Sequence, residues 1–400
     1  MTTTINNEHK KLNVPNLRFK EFRGEWEEST IGEEFDLYSG NTPSRLNKYH
    51  FNGAINWISS GELKEHYIAD TKEKISDEAA KTLKMLPIGT FIIAIYGLEA
   101  DGVRGTCSIT KSESTISQAC MAFTSKGKIQ NEFLYSWYKK HGNVIGIRYA
   151  QGTKQQNLSY DIIEKFKIAY PTLQEQEKLN KFIALLDERI ATQNKVIDKL
   201  QSLIKGISNQ LLYANHGISV RLGDILIERS ERTKENNQHE VLSSTVKGIF
   251  TQREYFSKDI ASENNVGYKV VRLQDVVLSP QNLWMGNINY NNKFDIGIVS
   301  PSYKVFSIAV GYDKEYIAAL LKTHRALYNY MLVSEQGASV VRRNLNMEEF
   351  EQLTFKLPPI ERQQKIGHTI SKLKLRLDLT YNQKAMYEEQ KQYLLRHMFI

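Results

Sequence analysis

The chain has 400 residues, 41% of them hydrophobic, which is enough for two or three ordinary globular cores. Its 53 Lys and Arg residues outnumber 45 Asp and Glu residues, which gives a net charge of +8. Such a charge either attracts a polyanionic partner or is spread evenly over the surface and serves solubility. No apolar run approaches the roughly 18 residues of a membrane-spanning helix, and the first residues lack a signal-peptide core. With two widely spaced cysteines, Cys107 and Cys120, we expect a soluble, cytoplasmic protein.

The first part of the chain predicts a mixed domain that is mostly β. From Ile31 to about Tyr170, short β-rich runs such as FIIAIY at 91–96 alternate with turn signals such as GNTPS at 40–44. Residues 128–142 and 158–167 predict brief helices within this domain.

A long helix is predicted after Pro171. With Leu179 at position a of a heptad, apolar residues fill most a and d positions and every e position, a stripe wide enough to bury one whole helix face. Over residues 173–213 such a helix would span roughly 60 Å. The residues predicted on its buried or docking face are Leu179, Phe182, Ile183, Leu186, Ile190, Val196, Ile197, Leu200, Leu203 and Ile204.

The second part of the chain follows the same plan. RLGDIL at 221–226 resembles TIGEEF at 30–35, and VVRLQDVVLSP at 270–280 predicts a strand and a turn. A second long helix is predicted over 361–398, and we expect it to pack antiparallel to the first. Its apolar stripe is interrupted and includes Ile366, Ile370, Leu373, Leu377 and Leu394.

The junctions between domain and helix are duplicated. QG at 151–152, NLS at 157–159 and PTLQEQEKL at 171–179 return as QG at 336–337, NLN at 344–346 and PPIERQQKI at 358–366. Asn157 pairs with Asn344 and Gln176 with Gln363, 187 residues apart in each case. Because solenoid units repeat every 20–50 residues or so, this period indicates two duplicated domains. An approximate two-fold symmetry suits two copies of one protein, or a ligand with two halves such as duplex DNA.

These patterns predict an α+β fold with a pseudo-two-fold internal repeat. Two mixed, mostly β domains are separated by two long antiparallel helices that resemble a coiled-coil spacer. The predicted boundaries are 1–171 for the first domain with an N-terminal extension, 172–215 for the central helix, 216–358 for the second domain and 359–400 for the distal helix.

Several polar loops are candidates for contact with DNA, because base reading needs Arg, Lys, Asn or Gln side chains that reach a groove edge. Polar loops flanked by glycine are more often solvated turns, so the loops carry more weight as sets than as single residues. The candidates in the first domain are Asn41, Thr42, Ser44, Arg45, Ser59, Ser60, Tyr96, Arg104, Lys154, Gln155 and Gln156. Those in the second domain are Ser244, Lys247, Gln252, Arg253, Asn282, Trp284, Asn287, Arg342, Arg343 and Asn344.

Common catalytic motifs are missing from the sequence. It contains no G-x-x-x-x-G-K-[ST] phosphate loop, no G-x-G-x-x-G cofactor loop and no H-E-x-x-H metal motif. It also lacks the N-P-P-[YFW] or D-P-P-Y tetrapeptide with which adenine methyltransferases hold the flipped base. We therefore expect no catalytic residue, metal site or cofactor in this chain.

The whole chain resembles the specificity subunits of type I restriction-modification enzymes. The resemblance rests on PNLRFKEFRGEW at 15–26, GNTPS at 40–44, NWIS at 56–59, ISDEA at 75–79 and the duplicated junctions. It implies a noncatalytic DNA-binding subunit whose two target recognition domains each read one half of a bipartite, asymmetric site. It further implies that the helices set the spacer and dock two methyltransferase subunits, which use S-adenosylmethionine, and that restriction subunits using ATP and Mg²⁺ join the full complex. The second half lacks a counterpart of residues 15–26.

Two alternatives remain open from the sequence. One is a self-contained DNA adenine methyltransferase, against which the missing cofactor and base-holding motifs count. The other is a helical scaffold that pairs two protein partners. A steep salt dependence of binding together with discrimination among duplexes would favour DNA reading over the scaffold.

Overall fold

The computed structural model describes residues 12–97, 105–149, 156–212, 217–255, 264–336 and 343–400. The chain divides into unit 1, which comprises Met1–Gln193 and Gln383–Ile400, and unit 2, which comprises Asn194–Asn382. The boundaries predicted from the sequence set each long helix apart, whereas the contacts divide both helices between the two units. None of the described helices is long and apolar enough to cross a membrane.

Unit 1 contains a mixed domain and parts of both long helices. Its strands are β1 (Glu27–Thr30), β2 (Phe35–Ser39), β3 (Ile55–Ile58), β4 (Tyr67–Ile68), β5 (Lys74–Ile75), β6 (Phe91–Ala94), β7 (Tyr96–Gly97), β8 (Cys107–Thr110), β9 (Ser114–Ile116), β10 (Cys120–Ser125), β11 (Gln156–Asn157) and β12 (Lys167–Tyr170). Its helices are α1 (Ile31–Glu34), α2 (Asp77–Ala80), α3 (Asn131–Tyr149), α4 (Tyr160–Ile163) and the first part of α5 (Leu173–Leu211).

The core of unit 1 is a five-stranded sheet of order β2-β10-β6-β8-β4. Strand β6 is apolar throughout because both of its faces are covered: Phe91 and Ile93 belong to one apolar cluster, and Ile92 and Ala94 to another. A smaller sheet of order β5-β3-β9 lies in the same domain. The helix predicted over 158–167 ends at Ile163, since the chain must extend at β12 to pair with β1.

Unit 2 contains the second mixed domain. Its strands are β13 (Ile218–Arg221), β14 (Leu226–Glu228), β15 (Leu242–Thr245), β16 (Gly248–Thr251), β17 (Lys269–Arg272), β18 (Val276–Leu278), β19 (Ile288–Tyr290), β20 (Ile296–Val299), β21 (Lys304–Ile308), β22 (Ser334–Gln336), β23 (Arg343–Leu345) and β24 (Thr354–Leu357). Its helices are α6 (Leu222–Ile225), α7 (Gln252–Tyr255), α8 (Lys314–Leu320), α9 (His324–Leu332), α10 (Met347–Gln352), the first part of α11 (Ile360–Met398) and the last part of α5.

The two domains share a frame, which consists of a four-stranded sheet order and one further strand pair, and they differ outside it. The sheet order β14-β21-β18-β19 in unit 2 repeats β2-β10-β6-β8 in unit 1, with antiparallel pairing throughout. The β13–β24 pair likewise repeats β1–β12, so that Arg221 faces Thr354 as Thr30 faces Lys167. Among the described strands the other sheets differ: unit 2 has the pairs β15–β16 and β17–β20 where unit 1 has β5-β3-β9, and the equivalent strands β11 and β23 pair with different partners, β7 and β22. The predicted α+β fold and its internal repeat are therefore confirmed.

The duplicated glutamine has the same structural role in both units. Gln176 is fully buried; its amide donates to Pro171 O (2.9 Å) and Lys128 O (2.8 Å), and its oxygen accepts from Gln130 N (2.8 Å). Gln363 is also buried; its amide donates to Pro358 O (2.9 Å), and its oxygen accepts from Asp313 N (3.1 Å). Each glutamine thus joins the start of a long helix to the loop before a helix of the neighbouring domain.

Replacing Gln176 with Ala is expected to destabilise the protein by about 2–4 kcal/mol, because the buried carbonyl of Pro171 and the part-buried backbone groups of Lys128 and Gln130 lose their partner. Urea unfolding of the full-length chain measures this loss. Gln174→Ala is the matched control, since Gln174 is exposed on the same helix and its loss should change stability by about 0.5 kcal/mol or less. Equal stability of the two variants would contradict the structural role of the buried amide.

The two long helices pack antiparallel in both units. In unit 1, Asp187 pairs with Lys391, and the Arg189 guanidinium lies 5.8 Å from the centre of the Tyr387 ring. In unit 2, Gln201 donates to Tyr381 Oη at 2.7 Å. The predicted helices at 173–213 and 361–398 correspond to α5 and α11.

The predicted apolar stripe is buried most completely near the domains. Seven of its residues are less than 9% exposed: Leu179, Ile183, Leu186, Ile197, Ile366, Ile370 and Leu394. Others are half-buried: Phe182, Ile190, Val196, Leu200, Ile204, Leu373 and Leu377. Leu203 differs, with 47% of its surface exposed. A straight helix drifts about 20° per heptad from a strict seven-residue repeat, so the d column that begins at Phe182 turns toward solvent by Leu203.

Residues 12–26 form an N-terminal strap in unit 1, and the described residues of unit 2 contain no counterpart of it. The backbone N–H of Leu17 donates to His397 O (2.9 Å), Arg18 bonds Glu175 through two nitrogens (2.8 and 2.7 Å), and Phe19 packs edge-to-face on Phe182. The strap thereby joins the end of α11 to the start of α5. The repeat places Arg362 at the position of Glu175, so unit 2 lacks the carboxylate that the strap uses.

Candidate nucleic-acid interface

The loop that follows β2 carries four of the predicted residues of unit 1. Its backbone is fixed by Gly40 N, which donates to Cys120 O (3.3 Å), and by Asn41 N, which donates to Ile116 O (3.1 Å). The Asn41 carboxamide accepts from Thr42 N at 2.8 Å, and the Thr42 hydroxyl donates to the side chain of Gln118. Ser44 and Arg45 are exposed beyond this fixed turn.

Gly40 is required where this loop leaves the sheet. A Cβ at Gly40 would lie 2.1 Å from Ile116 O and 2.5 Å from Ser117 O, both backbone atoms that cannot rotate away. We expect Gly40→Ala to lower stability by about 1–3 kcal/mol, because the loop must move to relieve the overlap. Thermal unfolding measures the effect, and Gly61→Ala is the control, since no atom lies within 4 Å of a Cβ there. An unaltered melting temperature for Gly40→Ala would refute the close approach.

Arg45 is held against aromatic rings. Its guanidinium lies 4.4 Å from the centre of the Phe51 ring and 5.7 Å from that of Trp57, and it bonds Glu73 through two nitrogens at 2.9 Å each. Both members of the Arg45–Glu73 pair are exposed, so the pair contributes little to stability and a phosphate or a guanine edge can replace the carboxylate. Trp57 itself is a core residue whose indole N–H donates to Asn41 O (3.1 Å).

The Tyr96 segment and the segment after residue 155 are neighbours. In the short β7–β11 ladder, Tyr96 faces Asn157 and Gly97 faces Gln156. Ile95 N donates to Ala119 O (2.9 Å), so the same 117–119 turn borders both this ladder and the Asn41–Thr42 loop. The structure thus brings together candidates that lie more than 50 residues apart in the chain.

Gln118 was missed by the sequence analysis. It lies exposed at the centre of this group, and its amide is the kind of group that reads adenine. The Ser-Gln pair between two β-rich runs was the available signal, but nothing local distinguishes it from an ordinary turn. Ser59 and Ser60 follow Ile58, whose carbonyl accepts from Ser117 N (2.9 Å), and both the backbone N–H and the hydroxyl of Ser59 donate to the Glu62 carboxylate.

In unit 2, the β15–β16 hairpin and the loop after β18 are joined by a buried amide network. The Ser244 hydroxyl donates to Asn287 Oδ1 (2.9 Å), and the Asn287 amide donates back to Ser244 O (3.0 Å). Asn289 donates to Ser244 Oγ (2.7 Å) and Thr245 O (2.8 Å). Ser244 and Asn287 are only 2% and 5% exposed, so a direct contact of either side chain with DNA would require this network to open. Lys247, at the hairpin tip, is exposed.

Trp284 and Arg343 meet although they are 59 residues apart. The Arg343 guanidinium lies 5.2 Å from the centre of the Trp284 ring and donates to Met331 O (3.3 Å), while Arg343 N donates to Gln281 O (3.2 Å). Both side chains are partly exposed. Asn282 begins the short 3-10 helix Leu283–Met285 that carries Trp284. A cation stacked on an indole has a fixed orientation, as base recognition requires.

Other predicted residues of unit 2 lie apart from this group or outside the described ranges. Gln252 and Arg253 begin α7, at the opposite end of the β15–β16 hairpin from Lys247. Asn344 is exposed on β23, beside Glu335 of β22. Arg104, Lys154, Gln155 and Arg342, together with the side chain of Gln156, lie outside the described part of the chain.

A cluster of His66, Glu132 and Asp187 connects the domain of unit 1 to its long helices. The His66 ring is stacked between Tyr67 and Tyr135; its Nε2 lies 2.9 Å from Glu132 Oε2, and its Nδ1 lies 3.7 Å from Asp187 Oδ2. Burial would lower the pKa of His66, but the Asp187 and Glu132 carboxylates outweigh it and the pKa is raised. In the described residues, no group of three His, Cys, Asp or Glu side chains is placed to hold a metal ion.

Comparison with known proteins identifies the family. A model described as the type I restriction modification DNA specificity domain matches residues 23–202 and again 219–387. The chain belongs to this family. Its membership confirms the resemblance found in the sequence and agrees with the expectation of a noncatalytic specificity component rather than an enzyme. The two matches fall on the two halves of the internal repeat.

Three proteins similar to this chain are distant from it in sequence. The type I restriction enzyme MjaIX specificity subunit of Methanocaldococcus jannaschii is 23% identical over 277 residues, which cover 63% of this chain and 62% of that relative. The aligned part is therefore less than two thirds of the relative's length. The crystal structure of a type I restriction-modification S subunit from M. genitalium superposes with a TM-score of 0.63 at 14% identity and covers 97% of this chain and 99% of that one. A chain from a study of complex assembly and conformational transition in the type I R-M system gives a TM-score of 0.54 at 14% identity, covering 92% and 96%.

Proposed function

We propose that this chain is the noncatalytic, cytoplasmic DNA specificity subunit of a type I restriction-modification complex, and that its two domains each read one half of a bipartite, asymmetric site. The observation that carries the proposal is a repeated frame with unlike loops. The sheet order, the β1–β12 and β13–β24 strand pairs and the buried glutamines recur in both units, whereas the segments that contain Arg45 and Trp284 differ in sequence from those that follow the equivalent strands of the other unit. A duplicated frame with different loops suits two different half-sites.

The chemistry of the loops supports DNA as the ligand. Exposed Arg45 and Lys247, with Arg343 partly exposed, supply the donors that contact phosphates and guanine edges. The net charge of +8 adds attraction to any duplex. Base discrimination then depends on which donors the rigid loop backbones hold at the groove.

The long helices are proposed to set the unread spacer and to dock two methyltransferase subunits. Apolar side chains remain exposed on both helices, and interfaces use such side chains as anchors: Leu185, Leu203, Leu375, Leu379 and Met386. On this proposal S-adenosylmethionine is bound by the methyltransferase subunits, ATP and Mg²⁺ by restriction subunits, and no cofactor by this chain.

A random-sequence duplex library tests the proposal. The full-length chain, alone and with its methyltransferase partners, is expected to enrich duplexes with two short specified segments separated by a constant unspecified gap, and binding should fall steeply with salt. Binding with no sequence preference, or no binding, would refute it. Methyl transfer from labelled S-adenosylmethionine by the chain alone would favour the self-contained methyltransferase instead.

A further inference from the structure

The side chain of Lys322 bonds two loops of the candidate interface. It follows α8, and its Nζ donates to Gly286 O (2.7 Å) and lies 3.4 Å from Val246 O. Gly286 ends the 3-10 helix that carries Trp284 and has a φ of 95°, and Val246 precedes Lys247 at the tip of the β15–β16 hairpin. One ammonium group therefore bonds the backbone of both loops.

The same two loops are joined a second time by the Ser244–Asn287–Asn289 network. These amides bond Ser244 and Thr245 of the hairpin, and Lys322 bonds Val246 and Gly286, the chain neighbours of Thr245 and Asn287. Two backbone carbonyls that accept from one cation are held at a fixed separation, because an ion-assisted hydrogen bond is roughly twice as strong as a neutral one.

We propose that Lys322 is a positioning residue for sequence recognition by unit 2, and that its ammonium group holds the Trp284 loop and the Lys247 hairpin in the arrangement that reads bases. The proposal rests on the proposed function of the chain. Lys322 does not itself contact DNA; it acts through the two carbonyls.

Lys322 lines a cleft of about 450 Å³ between the domain and α11. The titratable groups that line this cleft with it are Glu315 of α8, Tyr290 of β19, and Lys374 and Asp378 of α11. Burial, together with the Lys374 ammonium, lowers the pKa of Lys322 to about 8. Burial raises the pKa of Tyr290 to about 12.

As pH rises, the effect of Lys322 on loop positioning and its effect on folding stability change in opposite directions. Between about pH 8 and the ordinary lysine pKa of about 10.5, the unfolded chain binds more protons at Lys322 than the folded chain, so this group favours folding increasingly as pH rises. Over the same range the ammonium loses its charge and its bonds to the two loops weaken. Recognition should therefore decline while the fold is not destabilised by this group.

The test compares pH profiles of base preference with a random-sequence duplex library and the full-length chain. We expect wild type to lose about tenfold in discrimination within the unit 2 half-site between about pH 7 and pH 9.5, with no comparable loss in the unit 1 half-site. Lys322→Arg, which stays charged, should keep its preference across this range. Lys322→Met should show the weakened preference at every pH and a melting temperature at least equal to that of wild type.

Lys374→Arg is the matched control, because Lys374 lines the same cleft but bonds neither loop. It should retain the wild-type profile. If Lys374→Arg abolishes the pH dependence and Lys322→Arg does not, or if wild type and Lys322→Arg give the same profile, the positioning role is refuted. If no variant shows base preference in either half-site at any pH, the proposed function itself fails.

Discussion

Replacing Arg343 with alanine is expected to relax base preference in one half-site by roughly 5- to 150-fold and to leave the other half-site unchanged. The guanidinium is oriented by the Trp284 ring at 5.2 Å and by the Met331 carbonyl at 3.3 Å, so little conformational entropy is lost when it meets a base edge. Sequencing of duplexes selected from a random library measures the preference at each position.

Two further variants test whether Arg343 acts on one half-site through its orientation by Trp284. Trp284→Ala should lower the same preference, because it frees the guanidinium from the indole without removing it. Arg45→Ala, in unit 1, is the reciprocal control and should act on the other half-site. A uniform loss of affinity for every duplex after Arg343→Ala would mean that Arg343 contacts phosphates only.

Replacing Arg18 with alanine is expected to destabilise the protein by about 3–5 kcal/mol. Glu175 is 1% exposed, and its carboxylate accepts two hydrogen bonds from the Arg18 guanidinium. Without Arg18 the carboxylate stays buried and loses the cation that compensates it. Urea unfolding followed by tryptophan fluorescence measures the loss, since Trp26 lies at the end of the strap in the core of unit 1.

The exposed Arg45–Glu73 pair provides the control for this measurement. Its side chains are 57% and 44% exposed, so Arg45→Ala should change stability by only about 0–1 kcal/mol. Arg18→Ala combined with Glu175→Gln should recover part of the loss, because the buried charge is then gone. If Arg18→Ala alone unfolds at the same urea concentration as wild type, the strap does not stabilise unit 1.

Much of the frame was predictable from the sequence because its signals are local. The apolar stripe that begins at Leu179 predicted α5, and the Pro-to-Gln spacing at Pro171 and Gln176 predicted a repeated junction. Even here, the drift of a real helix from a seven-residue repeat exposed Leu203.

The recognition loops were predictable only as polar segments. Ser244 and Asn287 read as surface loop residues, but partners 43 residues away bury them in an amide network. Lys322 gave no sequence signal, because its role depends on carbonyls at Val246 and Gly286 in loops far from it along the chain. Arg343 was predicted as a contact, but its orientation comes from Trp284.

The sequence by itself determined that this protein has two related mixed domains and two long helices, because a 187-residue repeat, helical periodicity and β-rich runs are properties of neighbouring or equivalent residues. Only the tertiary structure decided which polar residues face outward and which hold the loops in place. Burial and hydrogen bonding at those positions depend on residues distant in the chain, and no local pattern records such pairings.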